Sequence, residues 1–277
     1  MEPKILCDDG GVRLLAALGV ALLLGVATAG CGGDDETTPA ETTRALVYLV
    51  RGNDLGAAAR EISTGDGMER AAVEELLSGP TKTEAAAGLA TWIAPDVTLA
   101  SVEIEDGVAT VDLAGLTDDP DALERMLAGG LSQVVFTLTQ FPGVDGVRFL
   151  TDGDPLHDFD RTGAGHGVHH RSDFEEQSPH VLVERPVVGD VVTSPVHLQG
   201  TANTFEATFE YEVLSASGQK LAGTFVTATC GTGCRGTFEE EVPFETGDAK
   251  TITLVVFERS AKDGSRVNEV RIPLALG

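Results

Sequence analysis

Positive charge is what this chain has least of. Lysine and arginine together number 19 against 44 aspartates and glutamates, a formal net charge of -25. A surface this acidic repels phosphate backbones, which excludes nucleic acid as a partner. It argues equally against a peripheral grip on anionic lipid headgroups. Cysteine is scarce as well, with 4 in 277 residues, and besides Cys230 and Cys234 no second closely spaced pair exists to complete a four-cysteine zinc site. Neither Gly-x-Ser-x-Gly nor His-Glu-x-x-His occurs, and with them go two common hydrolase signatures. The longest apolar run, "LLAALGVALLLGVATA" at 14–29, falls short of the ~20 residues of a comfortable membrane span. What is present is enough apolar sequence, 42%, to build a core in each of two domains.

The run at 14–29 has the length of a signal-peptide apolar region. It closes on "TAGC", with Ala29 and Gly30 directly before Cys31. This resembles the lipobox of bacterial lipoproteins, which implies cleavage after residue 30 and diacylglycerol on the Cys31 thiol. An ordinary cleaved signal and an uncleaved anchor are the alternatives. The start, "MEPKILCDDGGVR", sets Glu2, Asp8 and Asp9 against Lys4 and Arg13, whereas signal peptides begin positive. Initiation at Val12 instead of Met1 would place Arg13 directly before the apolar run. Residues 31–43 are polar and aperiodic and read as a flexible tether with a reach of ~20 Å.

Residues 44–156 carry an α+β pattern. "ALVYLV" (45–50) reads as a strand, and "MERAAVEELLSGP" follows the helical period until Gly79 and Pro80 stop it. Thr81 and Glu84 form a capping box for a short second helix. "TLASVEIED" and "GVATVDL" alternate around Asp106-Gly107, a hairpin signal. A long helix opens at Asp121, with Leu123, Met126, Leu127, Leu131, Val134, Val135 and Leu138 inward, and "GVRFLTDG" closes as a strand. The expected arrangement is helices on one face of a mainly antiparallel sheet. "EELLSGPTKTEAAAGLATWIAPDVTL", "VEIEDGVATVDL" and "QVVFTLTQFPGVDGVRFLTDG" resemble, in order, the GerMN domain of sporulation and spore germination proteins. That resemblance brings no catalytic residues with it.

Residues 157–178 are rich in Gly, Asp and His and read as an interdomain linker. His166, His169 and His170 lie close enough in sequence to hold Zn²⁺, Ni²⁺ or Cu²⁺. A glycine-rich linker supplies little scaffold for such a site, so solvated histidines are the ordinary expectation.

Residues 179–277 change character. Seven short alternating runs in about a hundred residues argue for an all-β, two-sheet immunoglobulin-like sandwich. "RPVVGDVVTSPVHLQGTANTFEATFEYEVL", "GTFEEEVPF" and "LVVFERSAKDGSRVNEVRIPL" resemble the immunoglobulin-like domain of bacterial spore germination. At Phe205-Glu206, packing of Phe205 with Glu206 in water is expected, and the alternative is the rim of a partner surface.

"TCGTGCRGTF" (229–238) contains Gly231, Gly233 and Gly236 in a G-x-G-x-x-G spacing. A dinucleotide site needs a strand before and a helix after. Here both flanks alternate like strands, and Glu239, Glu240 and Glu241 would repel phosphate. Cys230 and Cys234 supply only two zinc ligands, and their spacing is not the C-x-x-C of thioredoxin-like redox sites. A disulfide across a hairpin turn remains, and export would permit it.

The carboxylate pairs Asp118-Asp119 and Asp152 with Asp154 could serve glycan hydrolysis in principle. They sit beside Pro120, Gly153 and Pro155, where turn and cap roles are the ordinary ones. The sequence therefore reads as a non-catalytic binding or assembly module without a cofactor. It would be lipid-anchored on the extracytoplasmic face of the cell membrane, and its expected partner is an envelope protein or cell-wall glycan. The alternatives are a glycan-acting enzyme and a metal-handling protein.

Overall fold

The computed structural model describes residues 41–65, 67–116, 119–156, 167–247 and 249–277. The signal segment, the choice between Met1 and Val12, Cys31 and most of the tether lie outside the described residues. So do His157, His166 and Asp118.

The first domain begins with a hairpin of β1 (Thr42–Arg51) and β2 (Asp54–Ser63). Thr42 and Thr43, assigned to the tether from sequence, already pair with Ser63 and Ile62. β2 was not foreseen, because "LGAAARE" has low strand propensity and no alternation. Helices α1 (Met68–Leu77) and α2 (Lys82–Ala86) follow, and the Thr81–Glu84 capping box starts the second as expected. Arg60 locks the joint between β2 and α2 with two bonds to the buried Glu84, at 2.5 and 2.9 Å. Burial works to raise the Glu84 carboxyl, but the hydrogen bonds from Arg60 and Thr81 outweigh it and hold it below its usual range.

A second sheet pairs β3 (Thr98–Glu105) antiparallel to β4 (Val108–Ala114), β4 parallel to β5 (Gly146–Thr151), and β5 antiparallel to β6 (Asp154–Pro155). Asp106 and Gly107 take positive φ at the hairpin, as an Asp-Gly turn requires. The expected single sheet is thus two. The parallel β4–β5 pair arises because a helical crossover joins those strands. That crossover is the expected long helix, with a π turn inside it. It runs as α3 (Pro120–Arg125), a π turn over Met126–Gly130, and α4 (Leu131–Leu138). A Cβ on Gly129 would lie 1.9 Å from the Trp92 ring and one on Gly130 2.4 Å from the Met126 sulfur. The π turn therefore sits where two glycines let other side chains press against the helix backbone.

Every residue of α4 is buried, including Ser132, Gln133 and Thr137. Ser132 bonds the Gly129 carbonyl of its own helix, and the other two look misplaced until the backbone of β1 is followed. Leu46, Tyr48 and Val50 turn their amides and carbonyls away from β2. Gln140 serves Leu46 (2.7 and 2.6 Å), Thr137 and Gln133 serve Tyr48 (3.1 and 2.9 Å), and Ala90 serves Val50. The strand edge is closed by side chains of α4 and of Gln140 just after it, with one backbone bridge from Ala90, rather than by a third strand.

The second domain has nine strands among the described residues rather than seven. They are β7 (Val181–Arg185), β8 (Val191–Val192), β9 (Val196–Ala202), β10 (Thr208–Ser215), β11 (Lys220–Ala222), β12 (Phe225–Thr227), β13 (Gly236–Val242), β14 (Thr251–Arg259) and β15 (Arg266–Leu276). One sheet runs β13-β9-β7. The other runs β11-β10-β14-β15-β8, with β12 also pairing β10. Leu198, Phe209, Phe238 and Leu254 fill the space between them, as the alternating pattern requires.

The segment read as a linker is structured from residue 167 onward. His169 bridges to Val147, a 3₁₀ turn spans Arg171–Gln177, and Phe174 is buried. One continuous apolar cluster holds residues of both domains, among them Val47, Phe174, Val181 and Val187.

Candidate functional site

The side chains around the domain junction form a connected polar group. Tyr48, on β1, is fully buried and donates its hydroxyl hydrogen to Glu184 on β7. Burial, reinforced by the Glu184 carboxylate, pushes the phenol well above its ordinary value, although Arg171 pulls the other way. Arg171 reaches Glu184 at 3.1 Å, the Tyr48 oxygen at 3.2 Å, the Phe136 carbonyl at 3.0 Å and the Thr139 hydroxyl at 2.8 Å. Its guanidinium also lies 4.7 Å from the Phe136 ring centroid and 5.2 Å from that of Tyr48, so it stacks as well as bonds. A second arginine repeats the device: Arg235 grips Glu175 of the 3₁₀ turn through two 2.9 Å bonds and the Pro179 carbonyl through a third. Arg44 and Asp190 add an ion pair at 2.7 Å. The flexible-linker expectation fails here because Arg171 and Glu175 tie that segment to both sides.

Arg235 follows the cysteine loop directly. Cys230 and Cys234 are joined by a disulfide, but the loop is not a hairpin turn. It carries the chain from β12 in one sheet to β13 in the other. The loop braces a neighbour. Thr232 donates its amide to the Thr204 carbonyl and accepts the Glu206 amide, both at 2.9 Å. A Cβ on Gly231 would lie 2.4 Å from the Ala207 backbone, so glycine is what allows the approach. Glu206 and Ala207 sit at φ 53 and 57, a conformation that costs about 1–3 kcal/mol for each non-glycine residue and persists only when the surroundings impose it. The result is Phe205 held 67% exposed. The expectation that Phe205 packs is therefore wrong, because the strained backbone turns it outward. Phe225 is also exposed, at 65%.

The other sequence candidates are not brought together. His169 is buried between Phe149 and Phe174, and His170 bonds the Asp145 carbonyl through Nδ1 at 2.8 Å. Among the described residues no three metal-ligating side chains converge. Asp119 accepts the Asp121 amide at the start of α3, and Asp152 and Asp154 flank Gly153 at the exposed β5–β6 turn. Sequence reasoning missed Tyr48, Arg171 and Glu184. The signal was there only as an aromatic in a strand and isolated charges in segments read as linker and strand.

An α+β module with a helix closing its strand edge, followed by a two-sheet sandwich, defines a chain of two domains. Residues 37–157 match the family described as sporulation and spore germination, and residues 180–265 match the immunoglobulin-like domain of bacterial spore germination. The chain thus carries a GerMN domain and a spore-germination immunoglobulin-like domain, in that order. Among solved structures it is similar to the tandem GerMN domains of the sporulation protein GerM from Bacillus subtilis. The identity is 28% and the TM-score 0.33, over 46% of this chain and 44% of that one, so the match spans less than half of the tandem structure. It is also similar to the first GerMN domain of GerM, at 22% identity and TM-score 0.35, over 47% of this chain and 96% of that one. No curated protein matches the chain. No helix among the described residues is long and apolar enough to cross a membrane.

Proposed function

We propose that the chain is a non-catalytic assembly module of the bacterial cell envelope, working within the sporulation and germination context its domains define. Lipid on Cys31 would hold it to the extracytoplasmic face of the cell membrane, with residues 31–40 as the spacer. The observation that carries this reading is Phe205, a large apolar side chain kept in water by a strained loop that a disulfide-closed neighbour braces. Strain maintained to expose an aromatic is expected of a contact surface, where buried aromatics dominate binding energy. The partner is an envelope protein, or else cell-wall glycan.

The test is crosslinking in the native host with a photoreactive residue at position 205, followed by mass spectrometry of everything attached. Recovery of one envelope protein supports the reading, and recovery of wall glycan alone moves the role to wall binding. Glycan release by the purified protein, lost on substitution of an acidic residue, would replace it with an enzyme. Replacing Cys31 with serine should release the protein from membranes, and retention would remove the lipid anchor from the proposal.

A further inference from the structure

A cleft of ≈ 180 Å³ lies where the tip of the β1–β2 hairpin meets β7 and β15. Arg51 and Asp54 are paired positions closing that hairpin, so their side chains share one face of a two-residue turn. They do not pair with each other. Arg44, Arg60, Arg171, Arg235, Arg259 and Arg266 each hold a carboxylate within 4.0 Å, whereas among the described residues no hydrogen bond or ion pair engages the Arg51 side chain. Its Nε is buried without a partner. In a chain with 44 acidic residues, an unpaired half-buried guanidinium is conspicuous, because a buried donor left unmade carries its full desolvation penalty. Burial lowers the Arg51 pKa and raises that of Asp54, where His180 opposes the rise.

The rest of the cleft is set. Glu258 receives His180 and Asn268, both at 2.7 Å, which fixes the polar wall without drawing on Arg51. Leu55, Val183, Val188 and Ile272 supply an apolar wall. A simple anion would meet Asp54, and a simple cation would meet Arg51. A ligand carrying both charges a few ångströms apart satisfies each and can lay an aliphatic group on the valines. The volume lies below the ~300–1,000 Å³ of drug-sized pockets, which restricts the ligand to something small.

We infer that this interdomain cleft binds a free aliphatic α-amino acid, its carboxylate on Arg51, its ammonium on Asp54 and its side chain against the Leu55–Val188 wall. The inference does not depend on the contact surface around Phe205, and failure of the crosslinking would leave it untouched.

The test is titration of the full chain with L-alanine, L-valine and L-leucine by calorimetry and saturation-transfer NMR. Saturable binding of at least one is expected. N-acetyl-L-valine, which lacks the ammonium, and L-valinamide, which lacks the carboxylate, should each bind at least tenfold more weakly than L-valine. Arg51→Gln should lose binding at least tenfold with a melting temperature that does not fall, since the guanidinium has no other hydrogen bond or ion pair among the described residues and its Nε is buried unpaired. Absence of saturable binding by all three amino acids would overturn the inference. So would N-acetyl-L-valine binding as well as L-valine, an outcome measured on the unaltered chain and therefore independent of how any variant folds.

Discussion

Tyr48 of the GerMN domain gives its hydroxyl hydrogen to Glu184 of the immunoglobulin-like domain, and Arg171, from between the two, bonds both of them. Three segments, one of them more than a hundred residues from the other two, meet at one phenolic oxygen. The junction couples the two domains through charged hydrogen bonds, so their stabilities are expected to depend on it.

Arg171→Ala should therefore cost about 2 kcal/mol, the worth of a charged hydrogen-bonding group at a partly exposed site. It should also turn a single thermal transition into two. Arg171→Lys should recover little, because an ammonium cannot stack on Phe136 while reaching Glu184 and the Phe136 carbonyl. Differential scanning calorimetry reads both effects. A single transition in Arg171→Ala with an unchanged midpoint would show that the apolar contacts alone hold the junction.

Tyr48 gives the junction a pH signature. Its folded pKa is raised above the unfolded value of about 10. The neutral phenol's contribution is thus fully present below pH ~10 and lost as the pH rises above it, by up to about 1.4 kcal/mol per pH unit. Tyr48→Phe should lose about 1–2 kcal/mol at pH 7 and show a shallower decline above pH 10 than the parent. Urea titrations between pH 7 and 11.5 check the slope. The other tyrosine, Tyr211, is also raised by burial and contributes equally to both proteins.

Gly129 and the single tryptophan make a local probe. A methyl group at 129 would collide with the Trp92 ring, so Gly129→Ala should move that ring and destabilise the domain by about 1–3 kcal/mol, the usual range for overpacking. Trp92 fluorescence should shift in the folded variant. An unchanged emission spectrum with parental stability would mean that the π turn has room to relax.

The cysteine loop should matter more for presentation than for stability. Closing five residues is worth about 2 kcal/mol at most on chain-entropy grounds. Cys230→Ser with Cys234→Ser should cost no more than that. It should nonetheless reduce crosslinking through position 205 several-fold, because Thr232 and Gly231 no longer brace the strained turn. Undiminished crosslinking would assign the bracing to Glu258 and Thr204 instead.

Most of the architecture could be read from local patterns. The Asp106-Gly107 turn, the Thr81–Glu84 cap and the alternating runs of the second half all announce themselves within a few residues, since period and turn chemistry are local properties. The misses share one cause, which is that a distant partner overrides a local rule. β2 forms from alanines because β1 supplies the pairing. Gln133 and Thr137 are buried because β1 has an unfilled edge. The 121–138 helix carries a π turn where Trp92 packs against Gly129. Phe205 turns outward because a loop almost thirty residues away holds its backbone. The candidate site followed the same rule: the cysteines were visible as a pair, but nothing near Arg51 in sequence says that it will lack a carboxylate.

The three-part junction also limits how this architecture can be recombined. Tyr48, Arg171 and Glu184 come from one domain, the intervening segment and the other domain, and each answers a charge or hydrogen-bonding demand of the other two. A chimera that imports one domain from a relative would leave a buried phenol or a carboxylate facing the wrong group unless all three positions travel together. Domains that look interchangeable on the page are, at this joint, exchangeable only as a set.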